Sequence, residues 1–180
     1  MTESESRKGL TVVYTGEGKG KTTAAFGLAL RMLGHGWKVL VLQFIKGPLS
    51  SGEVKTAERL APDLTVRTLG QGYVFVQDGV TTQRDRELAQ SSWHIAREEV
   101  GKGDYDAVIL DEVNVMTALG LIPVAEVLDM MRWRRTHLTL VLTGRGADER
   151  VCRGADIVTE MRHVRHVHDT GRTDIEGIDR

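Results

Sequence analysis

Residues 10–33, LTVVYTGEGKGKTTAAFGLALRML, decide how this chain folds. Leu10 to Tyr14 is an apolar, β-branched run without polar alternation, the pattern of a strand buried on both faces. Thr22 to Leu33, rich in Ala and Leu with Met and Phe, reads as a largely buried helix. Between them stand Gly16, Gly18 and Gly20, followed at once by Lys21-Thr22-Thr23. Successive backbone N–H groups can converge on one point where glycine relaxes the backbone, and the following helix adds its positive end. This is the context that separates a phosphate loop from a chance glycine run. Lys21 is placed to reach phosphate oxygens, and the Thr22 hydroxyl to ligate Mg²⁺. The loop departs from G-x-x-x-x-G-K-[ST] at one position, where Thr15 stands for the first glycine.

Reading outward, Gly34-His35-Gly36 stops the helix, and Lys38 to Phe44 is a second strand. Glu53 to Leu60 looks helical and ends before Pro62, and Leu64 to Leu69 looks like a third strand. Arg84 to Gly101 carries a long helical pattern. Ala107 to Leu110 is a short apolar strand that runs into Asp111-Glu112. A helix can begin at Pro123, with Val124, Val127, Leu128 and Met131 on one face. Leu138 to Thr143 reads as a strand, Ala147 to Arg153 as a short helix, and Ala155 to Met161 as a last strand. Unalternating strands separated by helices predict a single α/β domain: a three-layer P-loop, RecA-like unit with a mostly parallel central sheet and helices on both faces. Residues 1–9 read as a polar N-terminal tail, 10–161 as the nucleotide-binding domain and 162–180 as a C-terminal tail. The acidic pair lies where open α/β sheets bind ligands, beyond the carboxyl end of a strand. A carboxylate there can meet the metal held by Thr22, so Asp111 and Glu112 join the loop as candidate metal ligands.

Composition narrows the function. The 180 residues carry 24 Lys+Arg against 25 Asp+Glu, a net charge of -1 that disfavours a nucleic-acid binder. The lone Cys152 cannot form an internal disulfide, which fits a reducing compartment. The polar start from Met1 to Lys8 is no signal peptide, and no apolar run reaches membrane-spanning length, so the expected location is cytoplasmic. Glycine is in excess, 20 residues against 3 prolines, and asks for many tight turns or close backbone approaches. To this point the residues say Mg-nucleoside triphosphate and leave the reaction open.

The segment Thr15 to Gly47 includes Ala24-Ala25-Phe26-Gly27, Arg31, Gly34-His35-Gly36 and Gln43-Phe44-Ile45-Lys46-Gly47. It resembles the ATP:corrinoid adenosyltransferases of adenosylcobalamin synthesis. The likeness continues through Val108 to Glu112, Leu142-Thr143-Gly144-Arg145-Gly146, Ala155 to Arg162 and Gly177-Ile178-Asp179. The resemblance implies transfer of the 5′-deoxyadenosyl group of ATP to a cobalt(I) corrinoid, with inorganic triphosphate leaving. It implies that Lys21, Thr22 and Glu112 are catalytic and that Thr22 and Glu112 ligate Mg²⁺ or Mn²⁺, with Asp111 behind them. It places ATP on Thr15, Gly16, Glu17, Gly18, Lys19, Gly20, Lys21, Thr22 and Thr23, with Arg31 and Arg145. Tyr73 and Phe75 correspond to two aromatics that pack under the corrin ring and displace its lower axial ligand. A reduced flavoprotein donor and a homodimer are implied by the resemblance alone.

His163, His166 and His168 are read as solvated or substrate-facing in preference to a metal cluster. The tail that holds them departs most from the family pattern, with His163 in place of an expected proline and His168 in place of an aromatic. Two other readings stay open on the residues themselves. A P-loop kinase or hydrolase would use Glu112 as a base and yield ADP; a non-enzymatic nucleotide switch would bind ATP without turnover.

Overall fold

A computed structural model describes residues 7–47, 52–72, 81–171 and 175–178, the His168 side chain excepted. Six strands make one sheet: β1 (Thr11–Thr15), β2 (Val39–Gln43), β3 (Leu64–Thr68), β4 (Ala107–Asp111), β5 (Thr139–Thr143) and β6 (Ile157–Glu160). Their order is β3-β2-β4-β5-β1-β6, and every neighbouring pair is parallel. The helices are α1 (Lys21–Leu33), α2 (Gly52–Leu60), α3 (Gln83–Lys102), α4 (Val113–Ala118), α5 (Val124–Trp133) and α6 (Glu149–Gly154). The expected three-layer α/β domain is present.

Alternation of side chains along each strand divides the core between the two faces. Val39 and Val41 of β2 and Ile109 of β4 pack with Ala25, Ala29 and Met32 of α1 and Ala57 of α2. Their neighbours Leu40, Leu42, Val108 and Leu110 face the other way, against Ala89, Trp93 and Ala96 of α3 and Val127 and Met130 of α5. Strands β2, β4 and β5 are buried at every position. This accounts for their continuous apolar sequences.

Three features differ from the sequence expectation. Helix α4 is absent from it, because Val113–Ala118 has no polar face: Val113, Asn114, Met116 and Thr117 are all buried. Helix α3 begins at Gln83, one residue earlier than its apolar pattern, because Thr82 and Asp85 form a capping box. The last strand is confined to Ile157–Glu160 and is exposed at all of its positions. It lies at the sheet edge, hydrogen-bonded to β1 alone, and follows the course of the phosphate-loop strand beyond Thr15.

Candidate functional site

All strands being parallel, their carboxyl ends gather the site on one edge. Gly20 is the N-cap of α1 with φ 118 and no side-chain cap, so the first N–H groups of that helix face the loop. Lys21 is buried and its Nζ donates to the carbonyls of Gly16 at 2.8 Å and Gly18 at 2.7 Å. Burial lowers its pKa, against the opposing pull of Glu112. The ammonium thus ties the two sides of the loop together and keeps a further N–H for a ligand.

Next to the loop, Thr22 donates its hydroxyl to Asp111 Oδ1 at 2.8 Å. Thr143, at the end of β5, donates to the same oxygen at 2.7 Å, and Gln43 Nε2, at the end of β2, reaches Asp111 Oδ2 at 3.2 Å. Asp111 is therefore a fully buried acceptor that fixes Thr22 from three strand ends. Glu112 differs. Its backbone is left-handed, φ 66, and its N–H donates to Thr143 Oγ1 at 2.9 Å. That turn aims its carboxylate into the loop cavity. Burial and then the Asp111 charge push the Glu112 pKa up. A Cβ on Gly144, where φ is 126, would lie 3.1 Å from Glu112 Oε2, so glycine there keeps the carboxylate its room.

These groups line a cavity of about 360 Å³ that runs from Glu17 through Thr23 and includes Glu112 and Arg145. Arg145 bridges to Glu17 at 3.1 Å, clamping the β5 end onto the loop. Thr15 sits beneath: its Oγ1 accepts from Ala147 N at 3.2 Å and its carbonyl from Met161 N at 2.7 Å. Arg31 is exposed in the last turn of α1 and is not part of this lining. Tyr73 and Phe75 lie outside the described residues.

The oxygen donors Thr22 and Glu112, with Asp111 behind, fit a hard divalent cation of the Mg²⁺ class that takes one or two carboxylates and completes its shell on phosphates. Among the described residues no group of three or more His, Cys, Asp or Glu gathers as a metal cage.

Lys46 and Glu53, paired at 3.2 Å, and Asp169 of the tail line the cavity without having been assigned to it from sequence, and His163 and His166, read as solvated or substrate-facing, line it as well. Gln43 and Thr143 lay in quoted motifs, and their position at strand ends was the available signal for a role at the site. A larger cavity of about 780 Å³ between α3 and α5, lined by Trp93, Ile122 and Trp133, shares no residue with the loop.

The model of the family ATP:corrinoid adenosyltransferase BtuR/CobO/CobP matches residues 7–179. A corrinoid adenosyltransferase of Escherichia coli K12 is 36% identical over 179 residues, covering 99% of this chain and 89% of the relative. The corrinoid adenosyltransferase CobA of Salmonella typhimurium is 35% identical with the same coverage, and one from a Sinorhizobium species is 37% identical over 99% of this chain and 84% of its own.

Proposed function

The chain belongs to the ATP:corrinoid adenosyltransferase family, and from that premise we propose how its own residues carry out the transfer. The reaction moves the 5′-deoxyadenosyl group of ATP to the cobalt(I) of a corrinoid, in cobalamin biosynthesis or salvage. The cobalt electron pair forms the Co–C5′ bond, the C5′–O bond breaks, and its electrons leave on triphosphate. No protein nucleophile is needed. What the protein must do is hold the triphosphate and offset the charge that appears on it.

The observation that carries the assignment is the convergence of Lys21, Arg145 and the α1 N-terminus with Thr22, Asp111 and Glu112 around one cavity. Lys21 and Arg145 hold the anion, and the loop from Thr15 to Thr23 wraps it. Arg31 is assigned to the nucleotide at its outer end. Thr22 and Glu112 would hold Mg²⁺ or Mn²⁺, with Asp111 orienting Thr22. The metal, when bound, supplies Lewis-acid neutralisation of the leaving group. Tyr73 and Phe75 are assigned to the lower face of the corrin ring. Residues 10–161 form the catalytic domain in this reading, 1–9 and 162–180 its tails, with the C-terminal one beside the substrate site. A reduced flavoprotein donor, a homodimer and a cytoplasmic location complete it. No helix among the described residues is long and apolar enough to cross a membrane.

The test is an anaerobic incubation with MgATP, a corrinoid and a strong reductant, scoring inorganic triphosphate and the light-sensitive alkyl-cobalt spectrum. Both should form. ADP in place of triphosphate would mean a kinase or hydrolase, and ATP binding without product a nucleotide switch. Lys21→Ala should lower triphosphate release by about 10²–10³-fold, the scale of one preorganised charge-stabilising group.

A further inference from the structure

The lining of the loop cavity is less basic than a site for a polyanion calls for. Among the described residues four cations face it: Lys19, Lys21, Lys46 and Arg145. Four carboxylates, Glu17, Glu53, Glu112 and Asp169, face it too, so their formal charges cancel. The other titratable side chains among the described lining residues are His163 and His166, and protonation of either ring would add positive charge there.

His163 is held for such a task. Its Nε2 lies 3.0 Å from Asp169 Oδ2, and the same oxygen accepts from the His166 backbone N–H at 3.0 Å. The hydrogen bond from His163, then the one from His166, holds the Asp169 carboxyl below the usual carboxylate range. Asp169 therefore stays an acceptor wherever an imidazole titrates. With Nε2 donating to the Asp169 carboxylate, a neutral ring offers a ligand only the Nδ1 lone pair, whereas a protonated ring donates from both nitrogens. The ring is half-exposed, with 41% of its side chain accessible, so a ligand can reach it. Its place is fixed by the segment just before it: Met161 accepts from Gly18 N at 2.6 Å and donates to Thr15 O at 2.7 Å. Arg162 and Arg165 flank it in exposed positions.

We propose that His163, held by Asp169, is a triphosphate-binding residue that brings a proton into the leaving-group pocket and makes its affinity for polyphosphate proton-linked. The inference rests on reading the loop cavity as the triphosphate site.

Calorimetry tests it on the full chain with inorganic triphosphate and EDTA, in buffers of differing ionisation enthalpy. Wild type should take up protons on binding near pH 7, and its affinity should fall by several-fold between pH 6 and pH 8. His163→Gln should lose most of that uptake, binding about 5–10-fold more weakly than wild type at pH 6 and nearly equally at pH 8.5. Asp169→Asn should weaken binding at pH 6 in the same direction. Wild-type proton uptake retained in His163→Gln, or uptake that disappears only in His166→Gln, would overturn the proposal. So would wild-type binding without uptake. The adenosyl-transfer assay run beside it separates the two readings: transfer with no proton linkage sinks this inference alone, and absent transfer sinks the assigned reaction.

Discussion

Asp111 and Glu112 are adjacent, both acidic and both at the end of β4, yet they do different work. Asp111 accepts from Thr22, Thr143 and Gln43 and is sealed from solvent. Thr143→Val keeps the shape and removes one donor from that buried carboxylate. It also deprives the Glu112 N–H of its acceptor. A loss of about 1–3 kcal/mol is expected in denaturant unfolding, with a weaker response of activity to added Mg²⁺. Glu112 is the carboxylate that faces the loop cavity. Its folded pKa is raised, so its ionisation opposes folding, and the penalty is absent in acid and grows as pH rises above the ordinary Glu range. Glu112→Gln should therefore melt higher than wild type at pH 7.5 without metal, with the gap closing toward pH 4. Each kcal/mol relieved is worth roughly 2–4 °C. Mg²⁺ with ATP should raise the wild-type Tm more than the variant's, and triphosphate release should be abolished in the variant. Equal melting at both pH values would contradict the burial argument.

Among the elements, the phosphate loop and β6 behave as one unit. The glycine surplus asks for tight turns or close backbone approaches, and at Gly16 and Gly18 the close approach is to the chain itself. A Cβ on Gly18 would stand 2.6 Å from the carbonyl carbon and oxygen of Arg162, and one on Gly16 2.5 Å from Met161 O. Gly16 also has φ 94, so a substitution there mixes strain with clash. Gly18 carries no such penalty and isolates the steric effect. Because the obstacle is backbone on both sides, Gly18→Ala should cost about 1–3 kcal/mol by overpacking and detach the start of the C-terminal tail. Hydrogen exchange would register this as lost protection at Gly18 and Met161 with the β2 and β4 amides unchanged.

At the scale of the molecule, the described part of the C-terminal tail contributes to the loop cavity and not to the core. Among the described residues both core clusters are complete by Ala155, and none of the tail enters either of them. The tail instead supplies His163, His166, Asp169 and Ile178 to the loop cavity. Ending the chain after Arg162 should leave Tm within a few degrees of wild type and raise the KM for ATP. A truncated chain that fails to melt cooperatively would place the tail in the core's stability.

Local pattern was enough for the strand–loop–helix unit, the parallel sheet and the acidic pair, because each rests on contacts between residues near in sequence or on burial that shows as an apolar run. Lys21 bonding to Gly16 and Gly18 is of this short-range kind. Helix α4 is missing from the sequence reading because it lacks a polar face, and β6, expected as a strand, is shorter than read and exposed at every position. The division of labour between Asp111 and Glu112, the Arg145–Glu17 clamp and the tail histidines over the loop had no local signal. Each depends on partners far apart in sequence, separated by 89 positions for Thr22 and Asp111 and 128 for Glu17 and Arg145. The chain's sequence by itself determined that a phosphate loop would form and which strand would face it. Only the packing of the tertiary structure decided which carboxylate is sealed, which faces the loop cavity, and which rings line it.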